Sequence, residues 1–201
     1  RYDNEPCVLK AFVISSQELE FFINEFWILS ELQHRSIVSL RGIFLDGPTL
    51  FMMMPFYEYG QLDSWTAAKT PNLAQKKRVL LQVLEGLEFL HSNEIVHGDL
   101  NPSNILVSLR ENVALTNFDL SSRTKHRLRK IRITKSGGDY CPPELVSSSF
   151  GCGESSSSGT QVPDFTWDMW SFGVLLVKTL LGWTNPILFD GCGGVVLDNA
   201  P

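Results

Sequence analysis

The sequence predicts an α+β fold of two unequal lobes with a crevice between them. Three observations lead there. β-type runs occupy the first quarter of the chain, strongly periodic helices occupy most of the rest, and a polar loop with apolar flanks (Ile95 to Val107) directly follows the longest helix.

The elements follow in order. Cys7 to Ile14 (CVLKAFVI) is rich in apolar and β-branched residues and predicts a strand. From Gln17 to Gln33 the residues Leu19, Phe22, Phe26, Leu29 and Leu32 recur at helical spacing. Ile37–Phe44 and Leu50–Met54 read as a strand pair, with Asp46-Gly47-Pro48 as the turn. Asn72 to His91 is a helix by the period of Leu73, Leu80, Leu81, Val83, Leu84, Leu87 and Leu90. Short strands are expected at Ile105–Val107 and Val113–Thr116, split by the polar Arg110-Glu111-Asn112. Ser121 to Lys135 carries seven Lys or Arg residues and no acid. Ser147 to Gly159 is Ser/Gly-rich and predicts an exposed loop without fixed structure. Trp167 to Leu181 is an apolar helix, expected to be buried nearly all round.

Composition narrows the class. The 201 residues suffice for one sizeable domain or two small ones, and 43% apolar with 19% charged residues fits a globular protein. A net charge of -5 argues against a dedicated nucleic-acid binder. The basic run at Ser121–Lys135 could bind phosphates, but it reads as a solvated loop rather than a nucleic-acid patch. No apolar run approaches a membrane span, and the polar, acidic start is no signal peptide. Cys7, Cys141, Cys152 and Cys192 show neither metal-ligand spacing nor a disulfide framework, so a cytoplasmic, reducing setting is expected. A chain that starts at Arg1 and ends in a loose Asp198-Asn199-Ala200-Pro201 reads as a fragment.

The loop His97-Gly98-Asp99-Leu100-Asn101-Pro102-Ser103-Asn104 carries the chemistry. Phosphoryl transfer needs a carboxylate to accept a hydroxyl proton and a side-chain oxygen to hold a metal beside the phosphates. Asp99 and Asn104 have those side chains. Taken alone, the same residue types also make ordinary polar turns. With its flanks the loop resembles the catalytic loop of eukaryotic protein kinases.

Further segments carry that resemblance in the right order. Lys10 lies mid-strand, where a lone lysine is usually solvated, and Glu25 sits among Phe21, Phe22, Ile23, Phe26 and Trp27 on the next helix. A carboxylate so surrounded needs a cation, and the two resemble the kinase pair that clamps the α- and β-phosphates. Leu50 to Leu62 resembles the strand and hinge joining the kinase lobes, although a Met stripe also serves as adaptable core filling. Thr116-Asn117-Phe118-Asp119-Leu120 occupies the place of Asp-Phe-Gly, and Gly137 to Glu144 resembles the end of the activation segment. Asp168-Met169-Trp170-Ser171-Phe172-Gly173 resembles the helix start whose buried Asp anchors the catalytic loop.

The resemblance implies a protein-kinase-like bilobal fold: a partial N-lobe over 1–54, a hinge at 55–60, and a partial C-lobe over 61–201. It also implies an activation segment at 117–144 and a low-complexity insert at 147–160. Asp99 would be the base, with Asn104, Lys10 and Glu25 beside it. Val8, Lys10, Met54, Pro55, Phe56, Tyr57 and Leu106 would surround ATP. Asn104 and Asn117 would face Mg²⁺, held weakly or not at all. A protein substrate or regulatory protein would be the partner, with no nucleic acid and no membrane span.

Departures from the family decide what activity to expect. Asn117 replaces the Asp that holds the metal, keeping one oxygen and losing the charge. Asp119 replaces the Gly two residues on and would supply that charge only if the backbone shifted. Asn101 stands for the lysine that neutralises the γ-phosphate, Gly137 for the Thr that braces it, and Gly98 for the Arg that receives an activation-loop phosphate. Val8 replaces a small Ala above the adenine. The Gly-rich loop and the last helices, with the Arg that would pair with Glu144, are expected beyond the ends of the chain. Two readings follow: a divergent Ser/Thr-type protein kinase, or a pseudokinase acting as a weak nucleotide-binding, scaffold or allosteric module.

Overall fold

The structure, a computed structural model, describes residues 5–14, 16–124, 139–143, 163–182, 187–189 and 195–197. Strand β1 (Cys7–Val13) pairs antiparallel with β3 (Thr49–Pro55), which pairs with β2 (Gly42–Asp46) through the turn at Gly47. The sheet order is β1-β3-β2. The register sets Lys10 opposite Met52 and Phe12 opposite Leu50, and the pleat sends Lys10 and Phe12 to one face. Helix α1 (Ser16–Glu31) covers that face, with Phe12 edge-on to Phe22 at 5.3 Å.

The strand expected over Ile37–Phe44 exists only from Gly42 onward. Ser36 to Val38 instead runs into the interior and joins a different strand: the Val38 N–H donates to the Leu115 carbonyl (2.9 Å), and the Leu115 N–H to Ser36 (2.9 Å). An apolar run signals burial but not its hydrogen-bond partner. Gly86 makes the approach possible, because a Cβ there would lie 3.0 Å from Leu115 and 3.1 Å from the Ser36 carbonyl.

Beyond β4 (Gly60–Gln61) come α2 (Leu62–Lys69) and α3 (Leu73–Ser92). Helix α3 begins where the sequence predicts, because Asn72 and Gln75 form a reciprocal capping box (3.0 and 3.1 Å). Helix α2 buries only Leu62 and Trp65, too few for a periodic signal. Strand β5 (Ile95–Val96) pairs with β8 (Ser122–Arg123), and β6 (Ile105–Val107) with both β4 and β7 (Val113–Leu115). Helix α4 (Phe165–Leu181) is capped by Asp164, whose carboxylate accepts from Thr166 at 2.7 Å, and Gly182 ends it at φ 66°.

Helix α4 is not buried all round. Trp167, Asp168, Phe172 and Leu175 are buried, whereas Met169, Leu176 and Leu181 are exposed. A helix apolar on every side hides which face packs, and here one face meets α3 and β5. Two further strands, β9 (Ile187–Phe189) and β10 (Val195–Leu197), pair antiparallel. The low-complexity stretch Ser147–Gly159 and the basic run after Thr124 lie outside the described residues.

Candidate active site

The loop after β5 is held by one carboxylate. Asp168, 1% exposed at the start of α4, accepts from the backbone N–H groups of His97 (2.8 Å) and Gly98 (2.9 Å) and pairs with His91 Nε2 (2.8 Å). His97 is fully buried against Phe118. Its Nδ1 accepts from the Asp99 N–H (3.3 Å), which leaves Nε2 to donate to the Thr116 carbonyl (3.1 Å). Gly98 sits at φ 77°, and a Cβ there would lie 3.2 Å from the Leu120 carbonyl. The residue that replaces an Arg is therefore one this backbone favours.

Asp99 is held by amides on both sides. Asn104 Nδ2 donates to its Oδ2 (2.8 Å) and carbonyl (2.7 Å), and Asn101 Nδ2 to its Oδ1 (3.1 Å). Burial raises the Asp99 pKa above its ordinary value; His97 and the two amide donors pull it down, and Asp119 pushes it up again. Asn101 also caps the short 3-10 turn Pro102–Asn104, accepting from the Ser103 N–H (3.0 Å) and hydroxyl. It works as a clamp on Asp99 rather than as a free polar group.

A second cluster faces the sheet. Lys10 Nζ lies 2.5 Å from Glu25 Oε2 and donates to Asn117 Oδ1 at 2.7 Å. Glu25 is completely buried, so its charge needs that cation. Asn117 takes a left-handed backbone at φ 67°, a conformation asparagine tolerates well. Beside Glu25, Asn24 Nδ2 reaches the carbonyls of Phe118 (2.7 Å), Asp119 (3.2 Å) and Ser121 (2.9 Å). The Ser121 hydroxyl donates to the His97 carbonyl (2.7 Å), and Arg123 pairs with Glu31.

Val8 stands opposite buried Met54 on the same row of the sheet. From Pro55 the chain passes to β4, with the Phe56 N–H on the Pro6 carbonyl (3.3 Å) and the Tyr59 N–H on Val107 (3.1 Å). Pro55 has no N–H, so among Pro55, Phe56 and Tyr57 it alone offers only a carbonyl. Leu106 is half-buried on β6, opposite Gln61. Phe56 and Tyr57 also line an open cavity of about 730 Å³ with Glu58, Gln82 and Leu109, which includes none of Lys10, Asp99 or Asn104. The structure thus joins Lys10, Glu25 and Asn117 in one cluster and Asp99, Asn101 and Asn104 in another. Asn24 and the clamping role of Asn101 were not foreseen; a second polar residue inside the aromatic stretch of α1 was the signal for Asn24.

Residues 2–188 match the family described as the protein kinase domain. The chain belongs to that family. It is 29% identical to the serine/threonine-protein kinase shk1/pak1 of Schizosaccharomyces pombe over 89% of its own length and 26% of that protein's. It is 30% identical to the Aurora kinase of Debaryomyces hansenii, over 80% of this chain and 37% of that one. The cAMP-dependent protein kinase type 3 of Saccharomyces cerevisiae is 30% identical over 87% and 40% respectively. The chain therefore spans well under half the length of these relatives.

Kinase chemistry uses a divalent metal beside the nucleotide phosphates, and the donors present can be judged against it. Among the described residues no three His, Cys, Asp or Glu side chains converge as a metal cluster. Asn117 offers one neutral oxygen, shared with Lys10. Asp119 differs: its Oδ1 is buried and has no hydrogen-bond partner. A charged carboxylate suits a hard cation better than the neutral amide oxygens of Asn104 and Asn117. No helix among the described residues is long and apolar enough to cross a membrane.

Proposed function

We propose that this kinase domain transfers the γ-phosphoryl group of ATP to Ser or Thr hydroxyls of a protein substrate. The observation that carries the reading is the junction at Lys10, where strand β1, helix α1 and the segment after β7 meet through Glu25 and Asn117. Lys10 would bind the α- and β-phosphates, kept oriented by Glu25. Asp99, held in place by Asn101 and Asn104, would accept the proton of the attacking hydroxyl. A raised pKa brings Asp99 closer to the working pH and makes it a better base than a free aspartate. Val8, Met54 and Leu106, with the backbone of Pro55 to Tyr57, would enclose the adenine. Asn104 and, through its shared oxygen, Asn117 would face Mg²⁺, whose contribution when bound is to neutralise phosphate charge. The name of the Schizosaccharomyces pombe relative, a serine/threonine-protein kinase, supports Ser/Thr specificity, and the cysteine spacing supports an intracellular setting.

A second reading, a pseudokinase that serves as a scaffold or allosteric partner, is favoured by the neutral residues at 101 and 117. Radiolabelled phosphate transfer to a generic protein substrate separates the two. Label on Ser or Thr that disappears in Asp99→Asn supports the enzyme; ATP binding without transfer supports the pseudokinase.

A further inference from the structure

We infer that Asn24 is a positioning residue for the base Asp99: it fastens the turn on which the Asp99 loop rests, while its neighbour Glu25 holds Lys10. This deepens the kinase reading above and rests on it.

Helix geometry divides the two tasks. Consecutive residues of an α-helix point about 100° apart, so Asn24 and Glu25 of α1 face different neighbours. Glu25 is completely buried against Lys10. Asn24 faces the segment after β7, where its Nδ2 lies 2.7 Å from the Phe118 carbonyl, 3.2 Å from that of Asp119 and 2.9 Å from that of Ser121. Carbonyl oxygens gathered at one place repel one another, and a side-chain NH₂ group answers them with two N–H donors and no net charge. Glu31 stands seven residues on, hence on the same face as Asn24, and pairs with Arg123. One face of α1 thus runs along the chain from residue 118 to 123.

On its other side the same stretch meets the Asp99 loop. Ser122 pairs with Val96 in the β8–β5 ladder, directly before His97. The Ser121 hydroxyl donates to the His97 carbonyl (2.7 Å) in the interior. The Leu120 carbonyl comes so near Gly98 that a Cβ there would meet it at 3.2 Å. The Phe118 ring lies 5.0 Å from the His97 ring, whose Nδ1 accepts the Asp99 N–H (3.3 Å). The turn is therefore a packed spacer between α1 and the loop, and a close-packed spacer passes a displacement on. Asp168 fixes the loop from α4, and Asn24 supplies the support from α1. Position matters to a base, since a misplacement of about 1 Å can cost on the order of 100-fold in rate.

The test measures phosphate transfer by the full chain, and hydrogen exchange at residues 97–99, for wild type, Asn24→Ala, Asn24→Asp and Ser121→Ala, each below its melting temperature. Asn24→Ala should lower kcat about tenfold with KM for ATP within about twofold, because the Lys10 pair is left in place. Exchange at 97–99 should quicken about tenfold, while Gln75 and Lys76, bonded to Asn72 at the start of α3, stay unchanged. Asn24→Asp keeps the shape but sets a carboxylate against the three carbonyls, so it should be at least as slow as Asn24→Ala. Asn24→Ala combined with Ser121→Ala should be little slower than either alone, since both cut one path. An unchanged kcat in Asn24→Ala, a rise in KM for ATP that accounts for the loss, wild-type behaviour of Asn24→Asp, or fully additive effects of the pair overturns the proposal. If Asn24→Ala does not fold, Ser121→Ala decides: a kcat about tenfold lower supports the proposal, and an unchanged kcat overturns it. A wild type that transfers no phosphate would instead defeat the kinase reading, and exchange at 97–99, quickened or unchanged in Asn24→Ala, would still judge Asn24.

Discussion

Replacing Asp168 by Ala should loosen the loop that carries Asp99, and the size of the effect follows from the hydrogen bonds lost. The carboxylate is 1% exposed and accepts two backbone N–H groups, from His97 at 2.8 Å and Gly98 at 2.9 Å, besides pairing with His91. Each N–H left without an acceptor in the interior costs about 1–3 kcal/mol. His91 is partly exposed and can turn to water, so its loss adds little. The sum is about 2–6 kcal/mol, against a total stability of roughly 5–15 kcal/mol for a domain of ordinary size. At about 2–4 °C per kcal/mol for a chain of this length, the melting temperature should fall by on the order of 10 °C. Asp168→Asn keeps one acceptor oxygen and should lose about half as much. Urea unfolding reads the difference as a shift in midpoint at unchanged slope. A midpoint change worth less than about 1 kcal/mol for Asp168→Ala would refute the reasoning, because it would mean that the two N–H groups find other partners.

Three further outcomes follow from the same contacts. Glu25→Gln removes the charge that pairs Lys10 and should weaken ATP binding about tenfold, measured by nucleotide titration. Asn24→Ala should cost about 1–2 kcal/mol and speed hydrogen exchange in residues 117–123 more than in α3. Because burial raises the Asp99 pKa, the native state holds its proton to higher pH than the unfolded chain, so this group's contribution to stability falls as pH rises from its ordinary 3.8 through the raised native value. Asp99→Asn should therefore melt higher than the wild type at pH 7, with the gap closing as the pH falls towards 3.8.

Parts of this arrangement were legible in the sequence because they answer local physical demands. A glutamate set among Phe21, Phe22, Ile23, Phe26 and Trp27 needs a cation, and the structure supplies Lys10. The leucine period from Leu73 to Leu90 announces α3, and Asp168 in an apolar helix announces backbone donors in need of an acceptor. Other parts depend on contacts between distant segments and left no local trace. Ser36 to Val38 reads as a continuation of β2, yet its partner is Leu115, some eighty positions away. Asn101 reads as a lost lysine, and only the folded loop reveals that it clamps Asp99. Asp119 reads as a displaced residue until Asn24 and Ser121 are seen to fix the turn around it. Exposure of one face of α4 was hidden because Met169, Leu176 and Leu181 are as apolar as the residues that pack.

The central claim is that Asp99 performs the chemistry at a site whose phosphate-binding lysine is already in place. Steady-state phosphoryl transfer to a Ser- and Thr-containing protein substrate, wild type against Asp99→Asn, tests it most directly. The account predicts that kcat falls at least about 100-fold while KM for ATP stays within a few-fold, as for removal of a group that acts in the transition state. A kcat left unchanged by Asp99→Asn, or a wild type that binds ATP and transfers nothing, would contradict it.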